Sequence, residues 1–257
     1  MSAVTIDDIS IRQIRADNVW KWLGAGWQDL WVRPGISLGY GLLVTLLSYA
    51  LVACLYYVDA IWLLLPLASA FMFGGPLIAV GLYEMSRRYQ RGERSFRRRE
   101  IFTTVRRAPL QLCYMGLILM LFALLWIRIA TLLFALFFGA SMPPVADIFA
   151  SLFLTAQGVV FLSVGTAIGA GLAFVAYAIS VISIPMIVDR EVDALTATIA
   201  SLSAIRDNFV PLILWGWLIA LLTALGIAVL FAGLIVVFPL IGHATWYCYR
   251  DIVGSEG

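Results

Sequence analysis

One histidine, His243, stands among 257 residues, and only 12% of the chain is charged. A single imidazole rules out any metal centre built on several histidines. Cysteine is equally sparse. Cys54, Cys113 and Cys248 fall one to an apolar segment with no paired spacing, which argues against a disulfide framework or a thiolate cluster. No G-x-S-x-G elbow, P-loop or glycine-rich dinucleotide fingerprint occurs. Nor does the chain open on a basic start followed by a short apolar run. Its first 35 residues carry Asp7, Asp8, Arg12, Arg15, Asp17 and Lys21 without an apolar stretch, so a cleaved signal is not expected. These absences lead us to expect no cofactor, no metal and no enzymatic activity.

What is present is apolar sequence. Hydrophobic residues make up 63% of the chain, more than the interior of a soluble domain of this length can hide. A hydrocarbon core of about 30 Å needs roughly 20 apolar residues per helical crossing. Six regions qualify: 36–57, 61–84, 110–133, 160–187, 210–228 and 231–249. The last two are almost continuous, which puts a tight turn near Gly226 to Gly233.

The basic residues fall on one side of this pattern. Of 17, four precede the first region, nine (Arg87 to Arg107) lie between the second and third, two between the fourth and fifth, and one after the sixth. Only Arg128 is left for the other side. The positive-inside rule then places both termini in the cytoplasm. Arg128 falls near the outer interface, where Asp59 or Asp147 could pair with it.

Local patterns recur along the chain. Pro76-Leu77-Ile78 is followed eleven residues after its proline by Arg87, and Pro239-Leu240-Ile241 likewise by Arg250. Ile184-Pro185-Met186-Ile187 is a weaker copy. Prolines also open the odd regions, at Pro34, Pro109 and Pro211, where a missing N–H costs nothing. One hairpin used three times accounts for these facts, each copy preceded by an amphipathic helix on the membrane surface. Residues 193–207 suit that surface role. So do Trp20, Leu23, Trp27 and Trp31, whose spacing makes an interfacial stripe; Trp22 points to the opposite face and does not join it. Gly165 and Gly169 form a small-xxx-small face for close helix contact.

Polar residues that could carry chemistry reduce to Glu84, Asp189 and His243, all near the inner ends of even regions. Packed around a common axis they would form one polar cluster; wetted separately by headgroups they would have no joint task. His243 itself can be read as a proton relay or as a packing residue. A buried neutral imidazole needs one donor and one acceptor, which a carbonyl, a hydroxyl or Asp189 could supply. Gly74, Gly75 and Pro76 are the candidate helix break. Arg87, Arg88, Arg97, Arg98 and Arg99 are candidates for anionic lipid or a protein partner. Nucleic acid is not expected as a partner.

The stretches GWQDLWVRPGISLGYGLL, GGPLIAVGLYEMSRRYQRGE, VISIPMIVDREVDALTATIASL and FPLIGHATWYCYRDIV together resemble a bacterial family of predicted integral membrane proteins, domain of unknown function 2189. The resemblance runs from about Trp27 to Val253. It implies a multi-span bacterial membrane protein without an assigned activity. Some members carry the label of a cytochrome c oxidase subunit, which points to an accessory or assembly role beside a respiratory complex. It does not point to a haem–copper core, which looks like twelve spans with several histidine ligands.

The expected fold is all-α: a polytopic membrane protein of six transmembrane helices in three hairpins, with interfacial amphipathic helices. Residues 1–35 form the cytoplasmic N-terminal segment, 36–253 the six-span domain and 254–257 a cytoplasmic tail. The expected role is accessory, scaffolding or assembly in a bacterial inner membrane, in contact with lipid and another membrane complex. The alternative is a small-molecule or ion transporter built on the pseudo-repeat. Reporter fusions after Asp59, Arg94, Asp147, Asp193 and Gly257 should read outside, inside, outside, inside and inside; a periplasmic signal at Arg94 sinks the topology.

Overall fold

The computed structural model describes residues 10–96, 100–101, 108–139, 148–190 and 192–254. Arg97, Arg98, Arg99 and Asp147 lie outside the described residues. Eleven α-helices are found among those described: α1 (Asn18–Val32), α2 (Pro34–Tyr57), α3 (Leu64–Ile78), α4 (Val80–Gln90), α5 (Pro109–Phe138), α6 (Ile148–Phe153), α7 (Ala156–Ser180), α8 (Ser183–Asp189), α9 (Ala194–Asp207), α10 (Phe209–Ala228) and α11 (Leu234–Val253). No strand occurs among them. The proline-opened starts of α2 and α5 are where the sequence puts them. Helix α9 begins at the Asp193 cap, whose carboxylate accepts from the N–H groups of Leu195 and Thr196.

Among the described residues, five helical stretches are long and apolar enough to cross a membrane: Pro34–Tyr57, Pro66–Gln90, Pro109–Phe138, Ala156–Asp189 and Phe209–Ala228. The sixth expected crossing coincides with α11, a 20-residue helix that carries His243 at its middle and Arg250 and Asp251 near its end. Polar residues there serve contacts inside the protein, and they lower the hydropathy on which such a reading depends.

Two of the long stretches are interrupted. The break between α3 and α4 falls at Ala79, three residues past Pro76, where Leu82 N–H bonds back to the Ala79 carbonyl at 2.8 Å. That between α7 and α8 falls at Val181–Ile182, ahead of Pro185. Helix α11 runs through Pro239 unbroken. The three proline sites therefore share sequence more closely than backbone conformation. A side chain at Gly74 or Gly75 would meet no neighbour within 4 Å, so neither glycine serves close packing.

Helix α11 is the packing centre, in contact with α1, α2, α4 and α10. Small residues make this approach close. A Cβ at Gly26 of α1 would lie 2.7 Å from the Ala244 nitrogen, one at Gly242 would lie 2.5 Å from Leu82, and one at Gly41 of α2 would overlap the Ile235 carbonyl. On the other side α3 packs on α5 and α5 on α7. There Gly169 of α7 receives the Trp126 ring, which names α5 as the partner of the small-residue face.

Helix α1 carries two apolar faces. Trp20, Trp27 and Trp31 are exposed, the stripe expected at an interface. Val19, Trp22, Gly26, Asp29 and Leu30 are buried against the bundle. Trp22 donates its indole N–H to Asp251 at 2.9 Å and meets Trp215 edge-on at 5.9 Å. Its departure from the stripe is explained by this second face. Ahead of α1, the N-terminal strand of chain is strapped to the far end of the sequence. Arg12 N–H bonds the Ile252 carbonyl at 2.8 Å, and Asn208 both accepts from Ile14 N–H and donates to the Arg12 carbonyl. We name the end where these segments meet the basic end. Arg128 is exposed at the opposite end of the pattern, and no ion pair to Asp59 is found among the described residues.

The glycine contacts set a clear expectation. Gly41→Ala should destabilise by about 1–3 kcal/mol, since the added methyl must push α2 from α11. Gly39→Ala, where a Cβ meets nothing within 4 Å, should leave stability unchanged. Thermal unfolding midpoints of the two variants in one detergent check both.

Candidate functional site

The basic end holds polar side chains that hydrocarbon cannot solvate, so each must find a partner within the protein. His243 is fully buried and bonded through both ring nitrogens. Nδ1 lies 2.8 Å from Ser86 Oγ and Nε2 lies 3.0 Å from Ser37 Oγ. Ser86 Oγ in turn donates to Asp29 Oδ2 at 2.6 Å, and Tyr247 donates to the same oxygen at 3.0 Å. The directions follow from the acceptor at the end. With Ser86 donating to the carboxylate, its oxygen accepts from His243 Nδ1–H, which leaves Nε2 to accept from Ser37. One hydrogen-bonded line thus joins α1, α4, α11 and α2.

The line has the order of a nucleophile, a base and an orienting carboxylate. Its setting differs from that of an open active site. Ser37 is 0% exposed and borders neither the cavity between α3, α7, α10 and α11 nor the one between α2, α3 and α10. With both its nitrogens engaged, His243 has no lone pair directed at a vacant position. Among the described residues no three His, Cys, Asp or Glu side chains gather in a way that could hold a metal ion.

Glu84 lies beside this line but is not part of it. Fully buried, it accepts from Arg87 Nε and Arg88 Nε, both at 2.8 Å. Arg88 reaches on to Glu100 at 3.0 Å and lies over the Phe96 ring at 5.2 Å, while Arg33 covers the same ring at 4.9 Å. Of the arginines considered for lipid contact, Arg87 and Arg88 therefore turn inward, and a lipid phosphate would have to compete with Glu84. Phe96 is buried, and its ring centroid lies 5.8 Å from that of Tyr89. Asp189 forms a third group, accepting from Arg250 at 2.9 Å and Tyr249 at 3.0 Å. Glu84, Asp189 and His243 share a region, because α4, α8 and α11 touch one another, yet each has its own partners.

Asp29, Ser86 and Ser37 are the site residues that sequence reasoning did not single out. Asp29 was legible in principle: Val19, Trp22, Gly26 and Asp29 stand at spacings of 3, 4 and 3, a helical face opposite the tryptophan stripe. The serines carried no such signal.

Burial raises the Asp29 carboxyl above its ordinary 3.8; the hydrogen bonds from Ser86 and Tyr247, and Arg94 nearby, oppose that rise. A raised carboxyl holds its proton more tightly folded than unfolded. Stability should therefore fall as pH climbs from 3.8 through the folded-state value, and the part of this slope due to Asp29 should vanish in Asp29→Asn. Ser86→Ala, which strands both the imidazole N–H and one carboxylate bond, should cost about 1–3 kcal/mol. Unfolding midpoints measured across that pH range in detergent test both statements.

Residues 64–189, just under half of the chain, match a family described as predicted integral membrane protein, domain of unknown function 2189. That segment begins with α3 and ends with α8. It includes Glu84, Ser86 and Asp189 but not Asp29, Ser37 or His243. No curated protein and no solved structure matches the chain.

Proposed function

From the match of α3 to α8 to predicted integral membrane proteins, we propose that this chain is a six-span, non-catalytic component of a bacterial inner membrane. Both termini face the cytoplasm, and the protein packs against another membrane complex to organise it or assist its assembly. The observation that carries this reading is the closure of the ionisable groups. His243 is bonded at both nitrogens, Glu84 is held by two arginines, and Asp189 by Arg250 and Tyr249. Groups that bind and release a substrate or an ion usually keep a position open; here protein partners take it. Such saturated networks fix helices in one arrangement, as a scaffold requires.

The outer surface suits the same role. Leu42, Leu43, Leu46 and Leu47 on α2, with Leu117, Leu121, Leu124 and Leu125 on α5, are exposed. Lipid covers them by default, and a partner span could replace it. The test is purification in mild detergent after cross-linking in intact membranes. We expect a discrete complex larger than one chain, with cross-links on these two faces. A chain that is monomeric before and after cross-linking would overturn the proposal.

One observation favours transport as a second reading. The α3–α4 and α7–α8 interruptions both border an apolar cavity, and transporters place broken helices around their substrate path. Flux of a hydrophobic solute into proteoliposomes that depends on the chain, with no partner recovered, would replace the scaffold reading by this one.

A further inference from the structure

The cavity between α3, α7, α10 and α11 has a volume of about 380 Å³. From Ala170 to Ser180 on α7, and from Ile213 to Thr223 on α10, its walls run ten residues, about 15 Å of helix. It is therefore a slot parallel to the helices, as deep as about half of a 30 Å hydrocarbon core. Its volume lies within the range of small-ligand sites, about 300–1,000 Å³. At one level of the slot Tyr177 bridges α7 and α10, donating its hydroxyl to the Leu212 carbonyl at 2.7 Å and covering Gly216 with its ring. Sideways it is open. Phe174 and Trp217 both line it and are 39% and 58% exposed on the outer face of the bundle.

The lining states what fits. No charged side chain among the described residues borders the slot, so an ionised headgroup or carboxylate would lose its hydration without compensation. The hydroxyls of Tyr177, Ser180 and Thr245 are already spent on backbone carbonyls. Tyr83 and Thr223 have no such bond among the described residues, and Tyr83 is the more enclosed of the two. It borders the slot and is 2% exposed, and its hydroxyl has no hydrogen-bond partner among the described residues. A buried O–H without an acceptor is costly, and the slot that Tyr83 borders offers room for one.

We infer that the slot binds a neutral single-chain lipid, taken sideways from the bilayer between α7 and α10, whose carbonyl oxygen accepts the Tyr83 proton. The hydrocarbon chain fills the apolar walls, and the absence of charge selects against free fatty acids and phospholipid headgroups. This site is separate from the polar line around His243 and is compatible with either a scaffold or a transporter.

The probes are a long-chain methyl ester bearing a mid-chain diazirine, the corresponding free acid and the corresponding alkane. Each is photolysed with the purified full-length chain at neutral pH. Saturable ester labelling on slot residues of α7, α10 and α11 is expected, with the free acid labelling more weakly. Tyr83→Phe should weaken ester labelling about fivefold, the loss of one hydrogen bond, and leave the alkane unchanged. Ala173→Phe, which fills the slot, should abolish labelling by both while the thermal midpoint confirms folding. If Ala173→Phe does not fold, the ester-to-alkane ratio in Tyr83→Phe still decides. Labelling that does not saturate, an acid that labels as well as the ester, or a Tyr83→Phe variant that treats ester and alkane alike overturns the inference.

Discussion

The basic half of this molecule depends on how closely other helices can approach α11. Within hydrocarbon, apolar side chains gain little by leaving lipid for protein, so close backbone contact and internal hydrogen bonds must hold helices together. Gly26, Gly41 and Gly242 provide the contact, letting α1, α2 and α4 come near α11. At that separation short side chains suffice for the polar line. Serine, with one rotatable bond, reaches His243 from α2 and from α4. Moved apart by a methyl group, the helices would leave the same atoms buried and without partners. Packing and hydrogen bonding are thus one constraint here.

The networks around Glu84 and Asp189 have a different character. Each joins a buried carboxylate to arginine, and removing one partner of such a pair leaves an uncompensated charge, typically a loss of about 3–5 kcal/mol. Their position near the basic end explains how they are tolerated. The arginine stems cross apolar surroundings while the charged heads meet carboxylates already there. Arg87 and Arg88, which composition alone assigns to the exterior, are drawn inward because Glu84 lies three and four residues before them on the same helix.

Much of the fold was legible because its signals are periodic and strong. Apolar length marks α2, α5, α7 and α10, prolines mark the starts of α2 and α5, and the amphipathic spacing of residues 193–207 marks α9. The interruptions were less legible. Pro76 announces a break, yet the backbone gives way at Ala79, since a proline disturbs hydrogen bonds around it and neighbouring packing decides where the strain is released. In the site, rare residues were visible and common ones were not. His243, Glu84 and Asp189 stand out in an apolar sequence. Ser37 and Ser86 look like any small residues in a membrane helix, and only the position of His243 gives them meaning. Asp29 was hidden by its helix, because a tryptophan stripe drew attention to the opposite face.

The strap at the chain ends bears on the order of synthesis. Helix α1 is translated before its partners, with Trp22 and Asp29 on a face that meets Ser86 of α4, Trp215 of α10 and the second half of α11. Its partners Asp251, Tyr247 and Ala244 are translated more than two hundred residues later, after every other span. Until then this face lacks those partners, while Trp20, Trp27 and Trp31 stay exposed on the other side of the same helix. Docking of α1 is therefore unfinished until α11 is made, and a chain truncated before α11 would leave Trp22 without Asp251 and Asp29 without Tyr247.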